Sequence, residues 1–347
     1  MNTIAQKITS WYKKNTRELP WRNTADPYHI WISEVILQQT RIDQGTAYYH
    51  RFLEAFPTVH HLAKASEEEV LKQWQGLGYY SRARNLHKAA RQVVSDFNGK
   101  IPDTYKALIK LQGVGPYTAG AVLSIAFNQP AVAIDGNVYR VLSRLFEEPT
   151  PINSPAAYKL FSKLVESFMP TDEASAFNQG LIELGALICK PKPICQSCPL
   201  QANCSAYANH TQLEFPVKQK KKPIKHRYFY FLDIRFKETT FVERRTAGDI
   251  WQGLYQFPLI ETTHKIKTAT LMQMNEWQEL LPEQSVSAVS VSKEFVHQLT
   301  HQRLHARFYQ IELNKLPNKL ATCYERISRA HLSDIAIPRL VEKYLLS

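Results

Sequence analysis

Four of the five cysteines fall within sixteen residues, as Cys189, Cys195, Cys198 and Cys204, with five, two and five residues between them. An odd total with four crowded into one segment argues against a secreted disulfide framework and for a metal site. Four thiolates at this spacing can converge on one centre. Buried free thiols are the plainest alternative, and a tetrahedral zinc site is the serious one. Zinc sites usually show two separated pairs, and here only the central gap is two residues, so the spacing favours an iron–sulfur cluster while leaving zinc open. No flavin or nicotinamide motif accompanies the cysteines, which suits a structural role. Lys190 and Lys192 place positive charge on the same loop.

A chain of 347 residues suggests two domains. Its formal charge of +12 suits a polyanionic partner, nucleic acid before membrane. The longest apolar stretches, such as Leu181 to Cys189, are too short to cross a bilayer, and Met1 to Asn15 lacks the apolar region of a signal peptide. The expected location is cytoplasmic. Residues 1 to about 185 read as successive helices, with apolar residues at helical spacing in Trp31, Ile32, Val35, Ile36 and in Val138, Val141, Leu142, Leu145. Residues 1–210 form the expected first domain. A stretch at 211–227, carrying Lys218, Lys220, Lys221, Lys222, Lys225 and Arg227 beside Pro216 and Pro223, reads as a solvated basic linker. From Tyr228, short runs such as Tyr228–Leu232 and Arg307–Ile311 look like strands, so 228–347 is expected to be an α+β domain.

Two carboxylates stand out. Leu111 to Ala119 puts Gly113 and Gly115 between helical segments, a tight turn whose backbone N–H groups, followed by a helix start, can grip phosphate without reading sequence. About twenty residues on, Asp135 begins Asp135-Gly136-Asn137-Val138. It reads as a helix N-cap held ionised by the helix dipole, the state that stabilises a cationic sugar. Glu34, Gln38 and Arg41 share one helix face at i, i+4 and i+7. A solvated polar stripe is the bland alternative, but Trp31, Val35 and Leu37 flank Glu34, and an apolar pocket would keep it protonated. Paired carboxylates of separated pKa are what acid-assisted cleavage of a glycosidic bond requires.

A helix-hairpin-helix, an aspartate after it and then four cysteines resemble the endonuclease III superfamily of base-excision DNA glycosylases. Within it, Ser33 to Thr40, Gly76 to Leu86 and Asp135 to Val138 are similar to the adenine DNA glycosylase (MutY) branch. The resemblance implies a mostly α helix-hairpin-helix domain carrying a [4Fe-4S] cluster loop, followed by an α+β Nudix-like domain. It also implies removal of adenine mispaired with 8-oxoguanine, or with guanine, from double-stranded DNA by a monomer, associated with the nucleoid if the cell is bacterial. In this family the residue matching Glu34 protonates the leaving adenine and later handles water, and that matching Asp135 stabilises the oxocarbenium-like sugar. Those matching Tyr117 and Asn137 support them. Gln38 lies on the Glu34 helix face, Gln39 and Tyr79 match residues that wedge into the duplex, and Trp21, Arg22 and Gln179 match positions lining the base pocket. Endonuclease III relatives place a lysine at position 117 that forms a Schiff base. A tyrosine cannot, so a monofunctional enzyme is expected.

The C-terminal region resembles the family's Nudix-like recognition domain through Trp251 to Pro258, yet lacks the acidic Nudix box, so it is expected to bind and not to hydrolyse. Leu299, Thr300 and His301 fall where the family often reads Phe-Ser-His and inspects 8-oxoguanine. Thr300 keeps a hydroxyl, and Leu299 loses the aromatic face. His297, His301 and His305 are expected on one face. The family's first cysteine gap is usually six residues, and here it is five. Two other readings are an endonuclease III-like glycosylase of different base specificity, against which Tyr117 and the C-terminal domain speak, and a non-catalytic DNA-binding protein, against which Glu34 and Asp135 speak.

Overall fold

A computed structural model describes residues 3–220, 223–246 and 248–347. The chain divides into two compact units, one of residues 1–64 with 85–220, the other of 65–84 with 221–347. The split groups the segment 65–84 with the C-terminal unit. No helix among the described residues is long and apolar enough to cross a membrane.

The first unit is helical. Val138, Val141, Leu142 and Leu145 of the helix Gly136–Leu145 are buried against Phe161, Phe177, Leu181 and Leu184, which makes the periodic stripe the centre of a core. Gly185 lets the helix Ala174–Leu187 approach this one: a Cβ there would stand 2.6 Å from the Asn137 Cβ. Pro27 and Asp26 start the helix Pro27–Leu37, with the Asp26 carboxylate accepting from the Tyr28 and His29 backbone N–H groups. Ile30 to Ile36 of this helix are all buried. The helix stops at Leu37 because Gln39 takes φ 58°, and Arg41 instead starts the next helix, Ile42–Ala55. The expected Glu34–Gln38–Arg41 face therefore ends at Gln38, and Arg41 is an exposed cap residue beside Asp43 at 3.4 Å.

The second unit is built on a mixed sheet of β1 (Lys225–Phe236), β2 (Thr239–Arg244), β3 (Tyr255–Gln256), β4 (Leu259–Thr262), β5 (Val286–Val291), β6 (Phe295–Gln298), β7 (Gln302–Leu313) and β8 (Glu325–Ser328). β1 and β7 run parallel at its centre, from Lys225 opposite Gln302 to Arg235 opposite Glu312. Alternate residues of β1 serve two layers. Tyr230, Leu232 and Ile234 pack with Trp277 and Leu280, while Phe231 stacks on Phe308, which also stacks on Tyr344 of the C-terminal helix Arg339–Leu345 and meets Phe295 edge-on.

Two sequence expectations change here. The strand starts at Lys225, three residues before the alternating pattern is visible. Arg227, counted with the solvated linker charges, is buried and paired with Asp249 and Glu261 at 2.7 and 2.6 Å. Lys221 and Lys222 of that run lie outside the described residues. Nor do the three histidines share a face. The turn between β6 and β7 reverses the chain, so His297 stands opposite Leu304 while His305 stands opposite Val296, on the other side of the sheet. His301 sits in the turn itself.

Candidate active site

The helical unit holds a cavity of about 670 Å³ that gathers residues from distant parts of the sequence: Trp21, Arg22, Glu34, Gln38, Gln39, Gly113, Gly115, Tyr117, Asp135, Asn137 and Gln179. Glu34 comes from the middle of its helix and is 8 % exposed. Mid-helix backbone N–H groups are already used within the helix, so a carboxylate there depends on side chains. Tyr117, in the first turn of the helix Pro116–Phe127, donates its hydroxyl to Glu34 Oε2 at 2.6 Å. Among the described residues nothing donates to Oε1. Burial pushes the Glu34 carboxyl up to about 7, helped by the Asp135 charge and opposed by the Tyr117 hydrogen bond and the Arg22 charge. Burial also drives the Tyr117 hydroxyl well above its ordinary value, with the charges of Glu34 and Asp135 adding to it. Gln38 donates to the Thr118 hydroxyl at 3.2 Å.

Asp135 caps the helix Gly136–Leu145, as its sequence position suggests. Its Oδ1 accepts the Asn137 and Val138 backbone N–H groups at 2.8 Å each, and its Oδ2 accepts the Asn137 side-chain amide at 2.7 Å. The helix-dipole argument alone places this carboxyl low. Burial instead raises it, against those hydrogen bonds and the Arg140 charge. Both oxygens nevertheless face N–H donors, so a proton on either one would displace a hydrogen bond. Arg140 carries the constellation further: it donates to Asn137 Oδ1 at 2.7 Å, to the Gly185 carbonyl at 2.8 Å and to the Cys189 carbonyl at 2.6 Å. An unbroken chain of hydrogen bonds thus joins Asp135 to the start of the cysteine loop.

The same cavity is lined by residues that the sequence reading missed. Glu183 has no exposed surface and takes two guanidinium groups, Arg17 at 2.6 and 2.7 Å and Arg22 at 3.2 and 2.7 Å. Its carboxyl, despite burial, is held down to about 2 by these hydrogen bonds and charges. Arg22 also lies over the Tyr12 ring, whose hydroxyl donates to Gln179 Oε1 at 2.9 Å. Trp21 is fixed edge-on to Tyr49. Glu183 stands one helical turn after Gln179 and interrupts an otherwise apolar run, the one signal in the sequence that marks it.

At the hairpin, Gly113 has φ +77°, and a Cβ there would meet Asn85 at 2.6 Å, so only glycine serves the turn. Gly115 caps the following helix without a side chain. Gln39 lies at the cavity with left-handed backbone and an exposed side chain. In the second unit, Tyr79 shares both properties, with φ 49° and 47 % exposure. Left-handed backbone at non-glycine residues costs on the order of 1 kcal/mol or more and concentrates at functional positions. Leu299, Thr300 and His301 form the turn between β6 and β7, closed by the Leu299 N–H to the Gln302 carbonyl at 2.8 Å. The Tyr79 and Thr300 hydroxyls are 3.1 Å apart.

The four cysteines leave the end of the helix Ala174–Leu187 and wind through two short 3₁₀ turns. The five-residue gap from Lys190 to Ile194 is closed by the Ile194 N–H to the Ile188 carbonyl at 3.0 Å. Among the described residues, no three histidine, cysteine or carboxylate side chains converge closely enough to hold a single metal ion. Cys189, Cys195, Cys198 and Cys204 instead line the walls of one small cavity. Burial raises the thiols of Cys195, Cys198 and Cys204, that of Cys198 to about 11, so holding them as thiolates calls for a cationic centre between them. The donor set therefore fits a metal cluster.

Residues 32–172 match the HhH-GPD superfamily of base excision DNA repair proteins, and residues 229–347 match the NUDIX domain. An adenine DNA glycosylase of Buchnera aphidicola subsp. Schizaphis graminum is 33% identical across 99% of this chain and 97% of its own length. The chain belongs to the adenine DNA glycosylase family. Solved structures agree in fold: a thermostable thymine-DNA glycosylase (TM-score 0.55, 32% identity, 59% of this chain and 95% of that one) and a non-covalent endonuclease III–DNA complex (TM-score 0.52, 27% identity, 61% and 100%). This adenine DNA glycosylase family member thus joins a helical HhH-GPD unit to a Nudix-like unit with a mixed sheet. Glu34, Tyr117, Asp135 and Asn137 fall within the HhH-GPD match, and Leu299 to His301 within the NUDIX match. Gln179, Glu183 and the four clustered cysteines lie outside both.

Proposed function

We propose that this protein is a monofunctional base-excision-repair enzyme that hydrolyses the N-glycosidic bond of adenine mispaired with 8-oxoguanine or guanine in duplex DNA. The observation that carries the reading is Glu34: a buried carboxyl raised to about 7, hydrogen-bonded to Tyr117 and sharing a cavity with Asp135. A base must leave the stack to reach such a cavity. Glu34, protonated near neutral pH, donates its proton to the departing adenine as the C1′–N bond breaks and its electrons pass to the base. Asp135 offers negative charge to the cationic sugar, fixed by Asn137 and the helix start. The Glu34 carboxylate then accepts the proton of the water that adds to C1′, which leaves an abasic site and restores the acid. Trp21, Arg22 and Gln179 line the base site, and Gln38 lies beside it. Gln39 and Tyr79 wedge into the duplex, and the turn at Gly113 and Gly115 holds phosphate. Leu299, Thr300 and His301 inspect the opposite base, with the Thr300 hydroxyl available to hydrogen-bond 8-oxoguanine.

Cys189, Cys195, Cys198 and Cys204 would hold a [4Fe-4S] cluster, which supplies a rigid cross-link for the loop when bound. The enzyme acts as a monomer on double-stranded DNA in the cytoplasm. Single-turnover assays on duplexes carrying adenine opposite 8-oxoguanine, adenine opposite guanine, and thymine glycol test the reading. Adenine is released from the first two, and failure to release it from the first sinks the proposal. Tyr117 has no amine, so borohydride trapping of an adduct that depends on strand cleavage would overturn the monofunctional assignment.

A further inference from the structure

Arg144 is 3 % exposed, and among the described residues no carboxylate lies within ion-pairing distance of it. A buried guanidinium without an anion is costly. Its partners are the carbonyls of Gln212 (2.7 Å), Phe215 (3.1 Å), Lys190 (2.6 Å), Pro191 (3.0 Å) and Cys189 (3.5 Å), and the Cys189 sulfur at 3.4 Å. Carbonyls solvate the fork but do not neutralise it. The Cys204 sulfur in turn lies 3.4 Å from the Arg144 carbonyl, and Arg144 lines the same small cavity as the four cysteines. Arg140, one helical turn earlier, donates to the Cys189 carbonyl, so the charge of this helix end is directed at one loop.

We infer that Arg144 is the counter-cation of the metal–thiolate centre: its missing anion is the negative charge that four cysteine sulfurs carry once they hold a metal. Four thiolates outweigh the two positive charges of a zinc ion or of an oxidised four-iron core, so the centre is anionic with either metal. This rests on the reading of the four cysteines as metal ligands. Arg144 touches no substrate; it is a positioning residue that ties the ends of the loop, from Cys189 to Phe215, around a charge. Its guanidinium also favours the more negative member of any redox pair, so its removal lowers the reduction potential of an iron–sulfur centre.

The test compares Arg144→Lys, which keeps the charge and loses the fork, with Arg144→Met, which keeps the stem and loses the charge. Both are purified as full-length protein with bound metal. Iron, acid-labile sulfide and zinc are counted first in the wild-type protein. Iron with sulfide upholds the cluster, zinc without sulfide replaces it and leaves the inference about Arg144 standing, and no metal at all overturns both. Release of metal to a chelator then reads Arg144 alone. The expected result is release at least about tenfold faster from Arg144→Met, with Arg144→Lys close to wild type. With iron bound, Arg144→Met also shifts the one-electron equilibrium about tenfold toward the oxidised form, about 59 mV. Equal release by the two variants, wild-type release by Arg144→Met, or an unshifted potential in its iron form overturns the inference. If Arg144→Met does not fold, an Arg144→Lys that folds with its full metal supports it, and one that fails in the same way overturns it.

Discussion

Replacing Glu34 by glutamine makes the protonation of that carboxyl visible in stability, independently of any assay of base excision. The Glu34 carboxyl titrates near 7 in the fold against 4.5 unperturbed. Between those values the native state keeps a proton that the unfolded chain has released, so stability falls as pH rises. The contribution is fully present below 4.5 and lost once the pH passes 7. At about 1.4 kcal/mol per pH unit, the interval amounts to roughly 3 kcal/mol. Glutamine is neutral throughout, and its carbonyl can still accept the Tyr117 hydroxyl. Glu34→Gln should therefore gain on the wild type as pH rises, by roughly 2–3 kcal/mol between pH 5 and pH 8. For a unit of this size that is a widening of the Tm difference by about 5–10 °C. Paired thermal melts of the two metal-loaded proteins across this range measure it, because effects of pH on the rest of the molecule cancel in the difference. A Tm difference that stays flat from pH 5 to pH 8 would refute the argument that burial holds Glu34 protonated.

The same carboxyl predicts the pH profile of excision. With Glu34 as the acid, the single-turnover rate is full below about 7 and declines toward tenfold per pH unit above it, and Tyr117→Phe, by removing the bond that lowers the Glu34 carboxyl, moves the falling limb to higher pH. Glu183→Gln leaves Arg17 and Arg22 without their carboxylate and should destabilise the protein by about 3 kcal/mol, read by urea denaturation, with weaker excision because Arg22 lines the cavity. Arg140→Met cuts the link from Asn137 to the Cys189 carbonyl and should slow excision at least about tenfold while iron content stays near that of the wild type. Thr300→Ala should reduce the preference for 8-oxoguanine over guanine, by about 1 kcal/mol in paired binding titrations.

The sequence displays features that depend on neighbours along the chain and hides those that depend on neighbours in space. Asp135 is legible because a helix cap and its helix are contiguous, and Gly113 because a tight turn needs glycine wherever it lies. Glu183 is not, since its two arginines come from about 160 residues earlier, and in one dimension it is a single charge in an apolar run. Arg227 reads as a linker charge for the same reason. Beside five lysines it looks solvated, but Asp249 and Glu261 are brought to it by chain folding that the local pattern does not specify. The three histidines do not share a face because period-two alternation holds within one strand, and the turn at Leu299 to His301 starts a second.

The division of labour proposed for the two carboxylates follows from where each stands in its helix. Burial raises both. Glu34 is the eighth residue of an eleven-residue helix whose amides are spent on its own carbonyls, so among the described residues one tyrosine hydroxyl is all that donates to it, and its other oxygen is free to carry a proton toward a base in the cavity. Asp135 sits where a helix begins and backbone N–H groups have no partner of their own. Two of these and the Asn137 amide occupy both its oxygens. Moving a proton onto Asp135 means breaking one of those bonds, whereas moving one onto Glu34 Oε1 breaks none. An acid and an anion can thus share one cavity without any difference in side-chain chemistry, because a helix offers amide donors at its start and none in its middle.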